Sequence, residues 1–173
     1  GIGRAIAERF AAEGAWLVVT ATSTDGLEPV TDACRGLGAE VLVLAGDLAE
    51  PDFAARLVDL AAGAFGTLDV VVNNAFWEET GPVAGATPDG WDRTFRLSLT
   101  APMLLARAAL PGVAARGSGS HRNLGSTHGV AAPPAPAPSD PAKADRATPP
   151  HPPPVASRRP GAWGFPCSAQ DRR

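Results

Sequence analysis

The sequence predicts an α/β fold, namely an incomplete doubly wound parallel sheet followed by a disordered, Pro-rich C-terminal tail. Three apolar runs of strand length, at residues 15–21, 40–46 and 68–75, lack polar alternation, which is typical of strands that helices bury on both faces. Segments with helical spacing alternate with these runs. The third observation is a change of composition, because 12 of the 18 prolines lie in residues 131–173.

The elements are predicted in the order helix, strand, helix, strand, helix, strand, helix. We predict the helices over residues 2–11, 25–37, 51–64 and 88–110. Gly14 ends the first helix, and Pro51 opens the third because proline is favourable in a first turn. Pro102 could kink the long fourth helix, since it cannot donate a backbone hydrogen bond.

Composition divides the chain into a body, residues 1–130, and a tail, residues 131–173. The tail has many prolines and few large apolar side chains, so burial cannot offset the entropy of ordering it, and we predict disorder. Beyond residue 144 the tail also resembles an out-of-frame reading of GC-rich DNA. The alternative is a Pro-rich interaction segment, for which "PPHPPP" is a weak ligand motif.

Charge and cysteine content exclude several classes of function. Residues 1–130 carry nine basic and fifteen acidic side chains, a net charge of −6, which argues against nucleic acid as a partner. Cys34 and Cys167 form no cluster that would predict a metal site or a disulfide framework. No secretory signal and no run of 18 apolar residues is present, so we expect a cytoplasmic protein without a membrane partner. The only methionine is Met103, so we expect the chain to be a fragment.

Polar and glycine residues that could hold a dinucleotide lie where helices begin and strands end. A "GIG" turn precedes the first helix, where close backbone approach and unpaired N–H groups suit a phosphate. Polar residues follow two predicted strands, at the edge of a parallel sheet where ligands bind. The candidate cofactor-binding residues are Gly1, Ile2, Gly3, Asp47, Leu48, Asn73, Asn74 and Ala75. Capping or turn formation is the alternative role for each one separately.

Several motifs together resemble the short-chain dehydrogenase/reductase family over residues 1–144: "GIG", "GDL", "NNA", "WDRTFRLSLTAPMLLARAALP" and "NLGSTHG". The resemblance implies that residues 1–130 form a partial Rossmann-like NAD(P)-binding domain, lacking the first strand and the first half of the phosphate turn. It further implies that Asp47 contacts the adenine and that the Asn-Asn-Ala stretch lines the cofactor cleft. The intact relative would interconvert a secondary alcohol and a ketone.

The family's catalytic set, an Asn, a Ser, a Tyr and a Lys, is only half retained. By resemblance Ser126 is the family serine, and the usual thirteen-residue step from it leads to Ser139, where the family has Tyr. Lys143 follows four residues later, as the family pattern requires, and Ser98 stands in the Asn position. A serine hydroxyl has a far higher pKa and a shorter reach than a phenol, so we predict impaired hydride transfer.

Three further departures bear on the cofactor and the fold. Phe76 stands where the family has Gly after "NNA". Ala21 leaves the first strand present without the carboxylate that would bind the ribose of NAD, which slightly favours NADP over NAD. His121 and Arg122 interrupt the apolar strand before "NLGS", and because burying an unpaired Arg is very costly, we expect that strand to be displaced or unformed. A ligand or base role for His121 is the less favoured interpretation.

The leading hypothesis is therefore a truncated, altered short-chain dehydrogenase/reductase that acts on a small alcohol or ketone with a nicotinamide dinucleotide. One rival is a non-catalytic nucleotide-binding or dimerisation module, since the helix at 88–110 is of the kind that relatives use to form homo-oligomers. A second rival is a chain that does not fold stably, because the missing first strand is central in this topology.

Overall fold

The computed structural model describes residues 1–79 and 81–126, and the predicted tail lies outside the described residues. Five α-helices and four strands are present in the described part. Their bounds are α1 Ile2–Ala12, β1 Leu17–Val19, α2 Glu28–Gly36, β2 Val41–Val43, α3 Phe53–Phe65, β3 Val70–Asn73, α4 Pro88–Phe95, α5 Ala101–Arg116 and β4 Ser120–Asn123. A 3₁₀ turn occupies Val83–Gly85, and a π-helical turn, Arg96–Thr100, joins α4 to α5.

The strands form two parallel pairs. β1 pairs with β2, Leu17 opposite Val41, and β3 pairs with β4, Val70 opposite Ser120. The α/β class and the parallel strands are as predicted, although each strand is shorter than its apolar run. Among the described strands, β1 and β3 are not hydrogen-bonded to each other.

Helices cover both faces of β1, as its continuous apolar run requires. Leu17 and Val19 of β1 pack against a cluster formed by α1, α2 and β2, which includes the fully buried Cys34. Val18 points the opposite way and packs against the cluster between α3 and α5. The alternation of side chains along one short strand thus produces three layers, helix, sheet and helix.

Local sequence explains most of the helix ends. α3 and α5 end at Gly66 and Gly117, which adopt φ values of 73° and 72° in the left-handed region that favours glycine. α4 begins after Thr87, whose hydroxyl accepts a hydrogen bond from the Gly90 N–H at 3.0 Å. Pro88 follows at the first helical position, where its missing N–H costs nothing.

The predicted long helix continues from Pro88 to Arg116 and is interrupted by the π-helical turn. Pro102 has no N–H to donate to the carbonyl of Ser98, four residues earlier, and its ring would contact that carbonyl in a regular α-helix. The wider π turn includes Ser98 and relieves this conflict. The helix is apolar and long enough to cross a membrane by length and composition alone, but Leu105 and Ala109 pack it against α3 in the core.

The prediction that the strand containing His121 and Arg122 would be displaced or unformed is wrong. These residues lie in β4, which pairs with β3 over its whole length. Arg122 is exposed and His121 is half-buried. The cost that motivated the prediction does not arise, because β4 pairs with β3 alone among the described strands and leaves the Arg122 side chain in solvent.

Candidate functional site

Asp47 follows β2 and is held by two hydrogen bonds. Its Oδ1 accepts from the backbone N–H of Ala49 at 2.9 Å, and its Oδ2 accepts from Nη2 of Arg93 at 2.9 Å. The Ala49 N–H lowers the pKa of the Asp47 carboxyl, burial opposes this, and the Arg93 guanidinium lowers the pKa further. The Arg93 guanidinium also lies 5.6 Å from the centre of the Trp77 ring. The carboxylate is therefore ionised and fixed in direction near neutral pH.

Gly46, the residue before Asp47, fixes the close approach of this turn to α3. A Cβ at residue 46 would lie 2.7 and 2.8 Å from two ring carbons of Phe53, closer than real Cβ atoms come to other atoms. Phe53 is the first residue of α3 and is buried in the core. The glycine of "GDL" therefore connects the position of Asp47 to the packing of the hydrophobic core.

The carboxyl end of β3 presents Asn73, Asn74 and Ala75. Asn73 is buried, and its Nδ2 donates to Oδ1 of Asn123 at 2.7 Å. The same Nδ2 lies within hydrogen-bonding distance of Nε2 of His121, and burial lowers the pKa of that imidazole. A neutral His121 can accept this hydrogen bond, whereas a protonated ring cannot. Asn73 thus joins the two neighbouring strands at their carboxyl ends.

The N-terminus of α1 meets the carboxyl end of β3 at Gly3. A Cβ on Gly3 would lie 2.6 Å from Nδ2 of Asn74, so a side chain at residue 3 would have to displace the Asn74 amide. The first backbone bond of the helix runs from the Ala5 N–H to the Gly1 carbonyl at 3.3 Å, which leaves the N–H groups of the preceding turn for an external partner. These groups and the helix dipole favour an anion.

Part of the predicted cofactor set lies together. One cavity of about 650 Å³ is lined, among other residues, by Gly3, Leu48, Asn73, Asn74 and Ala75. Gly1 caps α1 beside this cavity and Ile2 projects into solvent, with 67% of its surface exposed. Asp47 is adjacent to the cavity through Leu48.

Two of the four predicted catalytic residues, Ser98 and Ser126, lie in the described part of the chain. Ser98 is 1% exposed within the π turn, and its hydroxyl is the one buried side-chain group without a hydrogen-bond partner among the described residues. Ser126 is half-buried after β4. Ser139 and Lys143 lie outside the described residues.

Sequence reasoning missed two groups of contacts at this site. Arg93, the partner of Asp47, was predicted only as part of a helix, and a basic residue within "WDRTF" gives no signal of its partner 46 residues away. Asn123 and His121 were not connected with Asn73. Their position opposite β3 follows from the pairing of β4 with β3. The sequence analysis had predicted that this strand would be displaced or unformed.

The comparisons with known proteins all identify one family of oxidoreductases. Residues 1–146 match the family model described as enoyl-(acyl carrier protein) reductase. The chain is 37% identical over 110 residues to versicolorin reductase from Emericella nidulans, a match that covers 63% of this chain and 42% of that protein. It is 32% identical over 136 residues to D-beta-hydroxybutyrate dehydrogenase from Rhizobium meliloti, covering 78% of this chain and 53% of the relative. The chain thus spans about half the length of the curated relatives that it matches.

Solved structures agree with this result. A metagenomic short-chain oxidoreductase crystallised in complex with NADP superposes with a TM-score of 0.80 and 32% identity, covering 85% of this chain and 66% of that one. A putative short-chain alcohol dehydrogenase from Sinorhizobium meliloti gives a TM-score of 0.78 and 30% identity, covering 83% of this chain and 57% of that one.

Proposed function

The chain belongs to the short-chain dehydrogenase/reductase family, and we therefore propose that it is an NAD(P)-binding oxidoreductase domain for the interconversion of a secondary alcohol and a ketone, impaired by Ser139. The observation that carries the nucleotide-binding part is the contact between Gly3 and Asn74. It joins the open N-terminus of α1 to the carboxyl end of a parallel strand, where dinucleotides bind in α/β sheets.

The described residues fit a nicotinamide dinucleotide. A side chain on Gly3 would meet the Asn74 amide, and the unpaired backbone N–H groups at the start of α1 would hold a phosphate. The Asp47 carboxylate makes one hydrogen bond per oxygen and retains lone pairs that would accept from an adenine amino group. Asn74 and Ala75 would flank the cofactor at the end of β3. NADP is favoured over NAD, because Ala21 supplies no carboxylate to bind a free ribose hydroxyl.

The bound nicotinamide would supply or accept the hydride. The Ser126 hydroxyl would hold the substrate oxygen, and the Lys143 ammonium would bind the ribose and favour loss of a proton from the group at residue 139. Ser139 can donate a hydrogen bond but cannot exchange a proton near neutral pH, because an alkyl hydroxyl has a much higher pKa than a phenol. The hydroxyl of Ser98 is enclosed and cannot replace the amide of an Asn in supporting a water.

Nucleotide binding is tested by titrating the full 173-residue chain with NADPH, beside Asp47→Asn and a matched control, Asp59→Asn, which alters an exposed carboxylate on α3. Loss of a charge-assisted hydrogen bond weakens binding by roughly tenfold. We therefore expect the NADPH affinity to fall by about that factor in Asp47→Asn and to change by no more than about twofold in Asp59→Asn. Equal affinities in all three proteins would contradict the assignment of Asp47.

Impaired catalysis is tested by restoring the phenol. We expect Ser139→Tyr to raise the turnover of ketones with NADPH by at least about a hundredfold, as the return of a general acid does. Ser139→Phe is the matched control, because it supplies the ring without the hydroxyl. Equal turnover of the Tyr and Phe variants would contradict the proposed cause.

The second candidate function is nucleotide binding without catalysis. The observation that favours it is the burial of Ser98, whose enclosed hydroxyl would not take part in the reaction in place of the Asn. NADPH affinity that persists while Ser139→Tyr gains no turnover would select this candidate.

A further inference from the structure

Arg93 contacts two segments of the candidate site that are far apart in the sequence. Its Nη2 donates to Oδ2 of Asp47 at 2.9 Å, and its guanidinium lies 5.6 Å from the centre of the Trp77 ring. Asp47 follows β2 and Trp77 follows β3, whereas Arg93 belongs to α4. One helical side chain therefore joins the loops that follow two strands of different strand pairs.

Polar contacts at the N-terminus of α4 fix this helix beside the loop that follows β3. Oε2 of Glu79 accepts from the Thr87 backbone N–H at 2.8 Å, and Oε1 accepts from the Thr87 hydroxyl at 3.0 Å. The Thr87 hydroxyl accepts in turn from the Gly90 N–H at 3.0 Å. The loop after β3 thus holds the start of α4 through Glu79 and the Arg93 side chain through Trp77.

The Arg93 guanidinium is held at its flat face as well as at its edge. A planar guanidinium stacks on an aromatic ring while it donates hydrogen bonds in its own plane, which the ammonium of a lysine does not do. Trp77 is half-buried, and the side chains of Arg93 and Asp47 are 42% and 29% exposed. The ion pair is therefore partly enclosed, while the Asp47 carboxylate stays open to a ligand.

The orientation of the Asp47 carboxylate depends on both of its hydrogen bonds. The torsion that turns a carboxyl group is broad, so its own rotamer preference does not fix the direction of the oxygens. The Ala49 N–H holds Oδ1 from the same turn, whereas Arg93 holds Oδ2 from α4. Without Arg93 the carboxylate would turn about the remaining hydrogen bond, and its free lone pairs would lose their direction.

Arg93 also supports the charge state in which Asp47 only accepts hydrogen bonds. The Ala49 N–H lowers the pKa of the Asp47 carboxyl, burial raises it, and Arg93 lowers it through its hydrogen bond and its charge. An ionised carboxylate has no proton to donate. It therefore attracts a base that presents an amino group and repels one that presents a carbonyl oxygen in the same place.

We propose that Arg93 is a positioning residue for base recognition, which acts by holding the Asp47 carboxylate in one orientation. The site then selects a dinucleotide whose base carries an exocyclic amino group over one whose base carries a carbonyl oxygen there. This inference rests on the proposed nucleotide-binding function and adds a determinant of selectivity on α4. Because Arg93 acts through Asp47, its effect on selectivity requires the Asp47 carboxylate.

The test compares the affinities of the full chain for NADPH and for deamino-NADPH, in which hypoxanthine replaces adenine and a carbonyl oxygen replaces the amino group. Fluorescence titration gives both values. We expect the wild type to bind NADPH about tenfold more tightly, and Arg93→Gln to reduce this ratio to about threefold or less. Arg96→Gln is the matched control, because Arg96 is exposed at the end of α4, and it should keep the wild-type ratio.

The outcomes separate this inference from the proposed function. If the wild type binds NADPH but shows no preference for it, or if Arg93→Gln keeps the wild-type ratio, the role of Arg93 is overturned while nucleotide binding stands. If the wild type binds neither nucleotide, both proposals are overturned.

Two further variants show whether Arg93 acts through Asp47. In an Asp47→Asn background, Arg93→Gln should leave the ratio unchanged, because residues of one hydrogen-bonded network are not additive. A further fall there, as large as in the wild-type background, would overturn the proposal. Arg93→Lys keeps a cation that can donate to Oδ2 and should retain about half of the wild-type ratio or more. A ratio as low as that of Arg93→Gln would contradict the hydrogen bond as the cause.

The ligand-free chain supplies a readout that does not involve a nucleotide. In an NMR titration, the pKa of the Asp47 carboxyl should be higher in Arg93→Gln than in the wild type and unchanged in Arg96→Gln. An equal pKa in Arg93→Gln and the wild type would overturn the proposal. A partly exposed ion pair contributes little to stability, so the Tm of Arg93→Gln should lie within about 3 °C of the wild type. A much larger loss of Tm would assign Arg93 a structural role instead.

Discussion

Gly46 connects the candidate site to the core, and replacing it with alanine tests that connection. The added methyl group would lie 2.7 and 2.8 Å from two carbons of the Phe53 ring, below the 3.0 Å that Cβ contacts essentially never undercut. The ring cannot move freely, because Phe53 is 3% exposed and packs with Leu57 and Leu105 in the core cluster. Gly46→Ala is therefore an overpacking mutation.

The expected cost is about 2 kcal/mol of unfolding free energy. Overpacking of a well-packed core costs about 1–3 kcal/mol, and a ring forced off its rotamer accounts for about 0.5–1.5 kcal/mol of it. Gly63→Ala is the matched control, because Gly63 lies in α3 and a methyl group added there would have nothing within 4 Å of it. It should gain about 0.5–1 kcal/mol, as alanine does in a helix.

Urea unfolding of the wild type and the two variants measures both values. The cause is isolated in a Phe53→Leu background, where the ring is gone and Gly46→Ala should cost at least about 1 kcal/mol less than in the wild type. A loss below about 0.5 kcal/mol in the wild-type background, or an undiminished loss beside Phe53→Leu, would refute the steric reasoning.

Three further predictions concern polar groups that are partly or wholly buried. Because the fold lowers the pKa of Asp47, the contribution of this carboxylate to stability is present above the unfolded pKa of about 4 and is lost as pH falls through the folded pKa. The unfolding free energy measured from pH 5 to 2.5 should therefore fall less steeply for Asp47→Asn than for the wild type. Burial lowers the pKa of His121, so stability should decline as pH falls from about 6.5 towards its folded pKa, and His121→Val should remove that decline; parallel pH profiles would contradict it. Ser98→Ala removes a buried hydroxyl that has no hydrogen-bond partner, so it should raise the unfolding free energy by about 1 kcal/mol. Thr94→Val removes the hydroxyl that donates to the Gly90 carbonyl at 2.8 Å, so it should lower the unfolding free energy by about 1 kcal/mol.

Local sequence is enough to specify the α/β class and the order of the first seven elements. Continuous apolar runs such as "LDVVV" can be satisfied only by strands covered on both faces, and helical spacing is a local property of the chain. The same reasoning placed Asp47, Asn73 and Asn74 at strand ends, because a polar residue directly after a buried strand emerges at the carboxyl edge.

Which side chains meet is settled only when the elements pack. Arg93 reaches Asp47, and Asn73 reaches Asn123, across 46 and 50 residues of sequence, and such contacts depend on the register of packed elements rather than on local pattern. β4 forms despite Arg122 because it pairs with β3 alone among the described strands and leaves that charged side chain in solvent, which its sequence does not reveal.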